Sequence, residues 1–148
     1  MLLDYFTRDM VRADLTNAAL SNLYVRNGRP TNDEGWDIYP EGLYLFLKRF
    51  SAFGLPIYIT ENGMSDAAGD KRSDFLGRHM LAVERAVQEG VDVRGYFHWS
   101  LMDNFEWNSG YQPRFGLFTV DFANDSTLQR RPTPAVATFK TIAGNIPR

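Results

Sequence analysis

The stretch "IYITENGM", Ile57 to Met64, is a short apolar run that stops on a carboxylate, an amide and a glycine. Two readings fit Glu61. In one, Asn62-Gly63 supplies the turn that bounds a buried strand, and Glu61 is the first solvated residue after the core. In the other, the strand is parallel and its carboxyl end holds Glu61 in a cleft where charge does chemistry. A second reactive stretch is "HWSLMDNFEWNSGYQPRFGL", His98 to Leu117, with Trp99 and Trp107 eight positions apart. Loops seldom carry so much aromatic surface without a ligand or partner to cover it. The two tryptophans are either core anchors or sugar-binding groups. An indole face stacks on the weakly polar C–H face of a pyranose, while a carboxylate such as Glu106, beside Trp107, accepts hydrogen bonds from vicinal hydroxyls.

The elements that must position these groups follow from periodicity. "PEGLYLFLKRFSAF", residues 40 to 53, has Pro40 in a first helical turn, Leu43, Phe46, Leu47 and Phe50 on one face, and Gly54 just past its end, which predicts an amphipathic helix. "IYIT" after Pro56 is too short for a helix and reads as a buried strand. A second helix is expected from Ser73 with Leu76, Met80, Val83 and Val87 on one face and Gly90 as its stop. "VRGYFHW" from Val93 is the next strand, and a long irregular segment from Ser100 to Gly116 follows. The strand-like "LFTVDF" and a helix after Pro134, with Val136, Phe139 and Ile142 on one side, close the chain. "MLLDYFT" is one more candidate strand, and Asp14 to Asp37 reads as a long polar loop. Helix, strand, helix, strand, helix is the order of parallel βα units. So few parallel strands cannot close a barrel, and their edges would present unpaired backbone groups along hydrophobic runs. More strands are therefore expected from a partner or from another copy of the chain.

Composition narrows the function classes. The 148 residues suffice for one domain, 1–148, and 44% hydrophobic content is ordinary for a globular protein. Scattered charges with a formal net charge of -2 give no electrostatic footprint for nucleic acid or an anionic membrane. The absence of cysteine removes disulfides and thiolate metal sites. No apolar run approaches a membrane span, and early charges in "MLLDYFTRDM" argue against a secretory leader, so a cytoplasmic location is expected. His79, on a helix beside charged neighbours, reads as solvated, and His98 as a strand histidine with its hydrogen bonds satisfied. No metal or organic cofactor is implied.

"YITENG", "GYFHWSLMDNFEW", "GY" and "RFGL", in this order and spacing, with "GWDIYPEGL" at Gly35 to Leu43, resemble the carboxyl-terminal part of glycoside hydrolase family 1, the β-glucosidase and β-galactosidase group. The likeness runs from about Gly35 to Ala143, and more weakly from Asp4 to Arg12. It implies an α/β fold, part of a (β/α)8 TIM barrel, whose sixth, seventh and eighth strands are "LDYFT", "IYIT" and "RGYFHW". It implies that Glu61 is the nucleophile of a retaining glycosidase acting on terminal β-glycosides. Trp99 then resembles the stacking platform under the non-reducing sugar, Glu106 the binder of its 4- and 6-hydroxyls, Trp107 the indole that donates to its 3-hydroxyl, and Phe115 a wall of the same subsite. Asn62, Asp103 and Asn104 are expected to hold loops in place.

Two departures from the family pattern stand out. Its sixth strand ends Asn-Tyr-Tyr-Thr, with the second tyrosine hydrogen-bonded to the nucleophile; here the residues are Asp4-Tyr5-Phe6-Thr7. Phe6 has no hydroxyl to give, and a carboxylate without its donor has a higher pKa and a looser orientation. Tyr5 would replace it only if the register slipped. The acid/base glutamate, in a Thr-x-Asn-Glu-Pro motif, has no counterpart in this chain. Whole barrels run from about 250 to more than 400 residues, so the expectation is a part of one, active with a complementing amino-terminal barrel segment. The competing expectation is a non-catalytic truncated barrel that binds a monosaccharide weakly or self-associates.

Overall fold

The computed structural model describes residues 1–16, 21–23 and 28–144, so part of the loop expected between Asp14 and Asp37 lies outside the described residues. Its centre is a parallel three-stranded sheet in the order β1 (Leu2–Asp4), β4 (Ile57–Asn62), β5 (Val93–His98). Two short strands, β2 (Val11–Ala13) and β3 (Ser21–Leu23), pair antiparallel between β1 and the first helix. That helix, α1 (Pro40–Ser51), precedes β4, and α2 (Arg72–Gln88) joins β4 to β5. The segment after β5 holds a single 3-10 turn at Trp107–Ser109 and the two-residue pair β6 (Phe118–Thr119) and β7 (Arg131–Pro132). α3 (Ala135–Gly144) ends the described chain. The strand-like "LFTVDF" is thus paired only over Phe118–Thr119, because the Val120 N–H is taken by the Asp103 carboxylate.

The helices cover one face of the sheet. Leu3, Tyr5, Ile57 and Ile59 point to that face and pack with Leu43, Tyr44 and Leu47 of α1 and Val83 and Ala86 of α2. Alternation in the strands sends Leu2, Tyr58 and Phe97 to the opposite face, where Phe97 is 58% exposed. Parallel sheets normally have both faces covered. Among the described residues, this face is bare and the outer edges of β1 and β5 are unpaired.

α2 corrects three expectations. Its buried face is Arg72, Phe75, Leu76, His79, Val83 and Ala86, while Val87 is exposed. These positions keep helical spacing, but the stripe is turned relative to the one drawn through Met80 and Val87. His79 is fully buried rather than solvated; its ring stacks on Phe75 at 3.8 Å and its Nδ1 lies 2.9 Å from the Phe75 carbonyl oxygen. The adjacent charge, Arg78, lies off the stripe. The helix also starts without Ser73 as its cap. The buried Asp66 carboxylate accepts the N–H groups of Gly69, Lys71 and Arg72, so one side chain six residues upstream takes up two donors at the start of the helix. Among the described residues no helix is long and apolar enough to cross a membrane.

Candidate functional site

Glu61 stands at the carboxyl end of β4, the middle strand. Asp4 of β1 is its register partner, and the Tyr5 N–H donates to the Glu61 carbonyl at 2.9 Å. A register shift between Leu3 and Asp4 skips Thr60, whose hydroxyl donates to Asp4 Oδ1 at 2.6 Å. Among the described residues the Glu61 carboxylate has no hydrogen-bond partner. Partial burial pushes its pKa up, and the charges of Asp4 and Glu106 add to that rise.

Asn62 holds the strand ends together. Its side-chain NH2 donates to the Tyr5 carbonyl at 2.6 Å, its side-chain oxygen accepts the Tyr96 hydroxyl at 2.8 Å, and its own carbonyl accepts the Trp99 N–H at 2.9 Å. One fully buried amide therefore ties β1 and β5 to the strand that carries Glu61. Tyr5 takes no part in the site. Its ring faces the helices near Phe46 and His79, and its hydroxyl donates to the Tyr39 carbonyl. The register shift before Asp4 does not turn the Tyr5 hydroxyl toward the site, so neither Tyr5 nor Phe6 offers Glu61 a hydroxyl.

Beyond β5, the Trp99 indole N–H donates to Glu106 Oε1 at 2.9 Å, and the Asn104 side-chain NH2 donates to the same oxygen at 2.6 Å. Ser100 Oγ lies 3.0 Å from Asn104 Oδ1, which fixes the amide's orientation. The loop closes on itself through Glu106 N–H to the Gly110 carbonyl at 2.7 Å. Glu106 Oε1 is thereby occupied while Oε2 is free to accept from a ligand, and the half-buried Trp99 indole is held in one orientation. Asp103 anchors the loop from beneath. It is buried, accepts the N–H groups of Gly116 and Val120, and pairs with Arg114 at 3.2 Å. Asn62, Asp103 and Asn104 thus do the loop-holding work expected of them. Asp103→Ala is expected to cost about 3 kcal/mol or more, because it strands two buried N–H groups and a cation; denaturant unfolding measures it.

The other expected ligand groups separate. Phe115 is buried to 2% exposure between Phe6 and Trp36, with ring centroids 6.4 and 6.1 Å away. It backs an aromatic wall whose accessible members are Phe6 and Trp36. Trp36 was not singled out in the sequence, since its placement depends on distant ties. Arg8 pairs with Asp37 at 3.0 Å, the Thr7 hydroxyl donates to the Asp37 carbonyl, and the Asn32 side chain caps the turn by accepting the Glu34 and Trp36 N–H groups. Trp107 is 85% exposed with φ at 43°, on the 3-10 turn and outside the Trp99–Glu106 pair.

Behind β5 lies a polar core that sequence reading missed. The Arg72 guanidinium is buried and donates to the Asp66 and Arg114 carbonyls, with Nε and Nη1 unpartnered among the described residues. His98 was expected to be satisfied, yet among the described residues neither ring nitrogen has a hydrogen-bond partner. The backbones of Asn62 and Phe115 approach the ring without hydrogen-bond alignment, and burial beside Arg72 pushes its pKa down to about 3. Burial pushes His79 down to about 4. Among the described residues no three His, Cys, Asp or Glu side chains are grouped to hold a metal ion.

This arrangement matches known proteins. The model for glycosyl hydrolase family 1 matches residues 3–145. A beta-galactosidase of Sulfolobus acidocaldarius is 45% identical over 137 residues, which are 92% of this chain and 26% of that protein. A 1,4-beta-D-glucan glucohydrolase of Thermotoga neapolitana is 41% identical over 81% of this chain and 31% of its own length. Among solved structures, the family 1 beta-glucosidase from Thermotoga maritima superposes with a TM-score of 0.86 at 35% identity, covering 97% of this chain and 34% of that one. The chain therefore spans about a quarter to a third of the relatives it matches, and its sheet and helices are part of an α/β barrel. With the match running across nearly its whole length, the chain belongs to glycosyl hydrolase family 1.

Proposed function

We propose that residues 1–148 are a single partial-barrel unit, the carboxyl-terminal segment of a retaining β-glycosidase of β-glucosidase type, with β1, β4 and β5 as its sixth to eighth strands. The observation that carries this reading is the position of Glu61, at the carboxyl end of the middle parallel strand beside a pre-oriented Trp99–Glu106 pair. In the proposed reaction the Glu61 carboxylate attacks the anomeric carbon of a terminal β-glycoside and the glycosidic C–O bond breaks, leaving a glycosyl ester on Glu61. The departing oxygen takes a proton from a second carboxylic acid, which then deprotonates the water that hydrolyses the ester. That acid belongs to a complementing amino-terminal segment. The Thermotoga maritima enzyme, solved with galacto-hydroximolactam and with deoxynojirimycin, supports a sugar as the ligand here. Trp99 would supply the platform and Glu106 Oε2 the hydroxyl acceptor. Phe115 would stiffen the wall presented by Phe6 and Trp36.

Without its acid partner the chain keeps only the first half of the mechanism. General acid–base assistance is worth about 10²- to 10⁴-fold, so natural glycosides should turn over slowly and activated ones far better. Incubation with a 2-deoxy-2-fluoro-glucoside carrying a good leaving group should add one sugar mass at Glu61, and Glu61→Gln should add none. Absence of labelling in the wild-type chain at every pH would sink the nucleophile assignment. The bare sheet face supports a second reading, a truncated barrel that binds sugar or self-associates without turnover. Tryptophan quenching by a monosaccharide in an unlabelled chain would favour it.

A further inference from the structure

The site contains a carboxylate with no assigned role. Asp4 ends β1 and is paired in register with Glu61 across the parallel ladder, where partners project to the same face. Its carboxylate is held by the Thr60 hydroxyl, the residue that the register shift passes over on β4. The ladder continues one step beyond it through Tyr5 N–H to the Glu61 carbonyl, which ties the two Cα positions to neighbouring-strand spacing.

We propose that Asp4 is a positioning residue of this site, a second negative charge held against Glu61 by strand register and by Thr60, and that this charge delays the ionisation of Glu61 as pH rises. The inference rests on the reading of Glu61 as the nucleophile. The surroundings of Glu61 make Asp4's charge count. From β1 it faces Asp4, and from the loop after β5 it faces Glu106; among the described residues no basic side chain acts on it. The helices lie on the opposite face of the sheet. Partial burial is the largest influence against the Glu61 anion, and both neighbouring charges, Asp4 first, oppose ionisation in the same direction. Asp4 differs from Glu106 in having no other task. Glu106 is engaged by Trp99 and Asn104, whereas the Asp4 bond to Thr60 needs only an acceptor oxygen, which an amide also has.

This makes Asp4→Asn a nearly pure charge deletion. In a carboxyl-carbon NMR titration of the full 148-residue chain, the midpoint for Glu61 should fall by about 0.5 pH unit or more in Asp4→Asn, as expected for one like charge at neighbouring-strand distance in a largely aqueous setting. Asp4→Glu should restore the higher midpoint, and added salt should shrink the difference between wild type and Asp4→Asn. The acid limb of 2-fluoro-glucoside labelling should move by the same amount. Should the amide variant fold poorly, Asp4→Ser serves as the uncharged comparison. An unchanged Glu61 midpoint in both uncharged variants would overturn the proposal while leaving the nucleophile assignment standing. Failure of all labelling would overturn that assignment, and the titration would still decide whether Asp4 acts on Glu61.

Discussion

Acidification from pH 6.5 to pH 4.5 is expected to lower the unfolding free energy of this chain by about 4 kcal/mol, roughly half from each of two histidines, read as a falling denaturant midpoint at constant slope. The cause is two histidines with ring nitrogens that are buried behind the sheet and unpartnered among the described residues. His79 is fully buried with a pKa depressed to about 4, and His98 lies beside the buried Arg72 guanidinium with a pKa near 3. Both are neutral in the folded chain over this range, whereas the unfolded chain protonates them below about pH 6.5. The unfolded state then binds more protons than the folded one, so stability rises with pH through the window and is lost as pH falls. At about 1.4 kcal/mol per pH unit, His79 alone contributes at most about 3 kcal/mol before its folded form begins to protonate. The surface carboxylates with lowered pKa values, exposed Glu89 and half-buried Asp121 and Asp125, work in the same direction but are screened by solvent. Replacing His79 by Gln should remove about half of the slope between pH 6.5 and 4.5, with His98 supplying the rest. An equally steep profile in that variant would assign the acid sensitivity to other groups.

Gly63→Ala is expected to destabilise the chain by about 3 kcal/mol or more, or to prevent folding altogether. A Cβ at Gly63 would stand 1.7 Å from the Trp99 carbonyl oxygen and 2.7 Å from the Trp99 carbonyl carbon. Both are backbone atoms, so no rotamer change relieves the overlap. The neighbouring Asn62 carbonyl is bonded to the Trp99 N–H, so the two strand ends cannot part without losing that bond. The consequence reaches the site, because Glu61 and Trp99 sit on the two segments that would be forced apart. Gly77→Ala supplies the contrast. Gly77 lies within α2 with nothing in the way of a Cβ, and its replacement should stabilise the helix by about 0.5–1 kcal/mol. Thermal unfolding of the two variants should therefore move in opposite directions, and a tolerated Gly63→Ala would contradict the close approach described for Trp99.

Strongly punctuated elements were legible before any coordinates. Pro40 and Gly54 frame α1, Pro56 and Asn62-Gly63 frame β4, and in each case apolar period and breakers agree. What escaped the sequence depends on pairs that are distant along the chain. Asp66 caps α2 from six residues upstream, where a cap is not sought, and so Ser73 looked like the start. His79 was read from its neighbours' charges, although a helix hides one residue in four regardless of who sits beside it. Of the residues expected to meet a ligand, Glu61, Trp99 and Glu106 lie on two adjacent strand ends and a tight loop, so short-range pattern sufficed to bring them together. Phe115 met Phe6 and Trp36 only through three separate segments, and Trp36 depends on the Arg8–Asp37 pair for its place. Trp107, by contrast, stands out in solvent because the surface that would cover it is not supplied by the described residues.

The clamp at Asn62 also bears on how long the site survives chemically. An Asn-Gly pair is the dipeptide most open to attack by the following backbone nitrogen on the side-chain amide, since glycine offers no hindrance. At Asn62 the amide nitrogen is held against the Tyr5 carbonyl and the amide oxygen against the Tyr96 hydroxyl, both away from the solvent that would carry ammonia off. Conversion to aspartate would set a carboxylate oxygen against the Tyr5 carbonyl, two acceptors with no proton between them. The bonds that align the three strands thus also slow the ageing of the residue beside Glu61, and an unfolded chain would lose that protection at the same moment as its site.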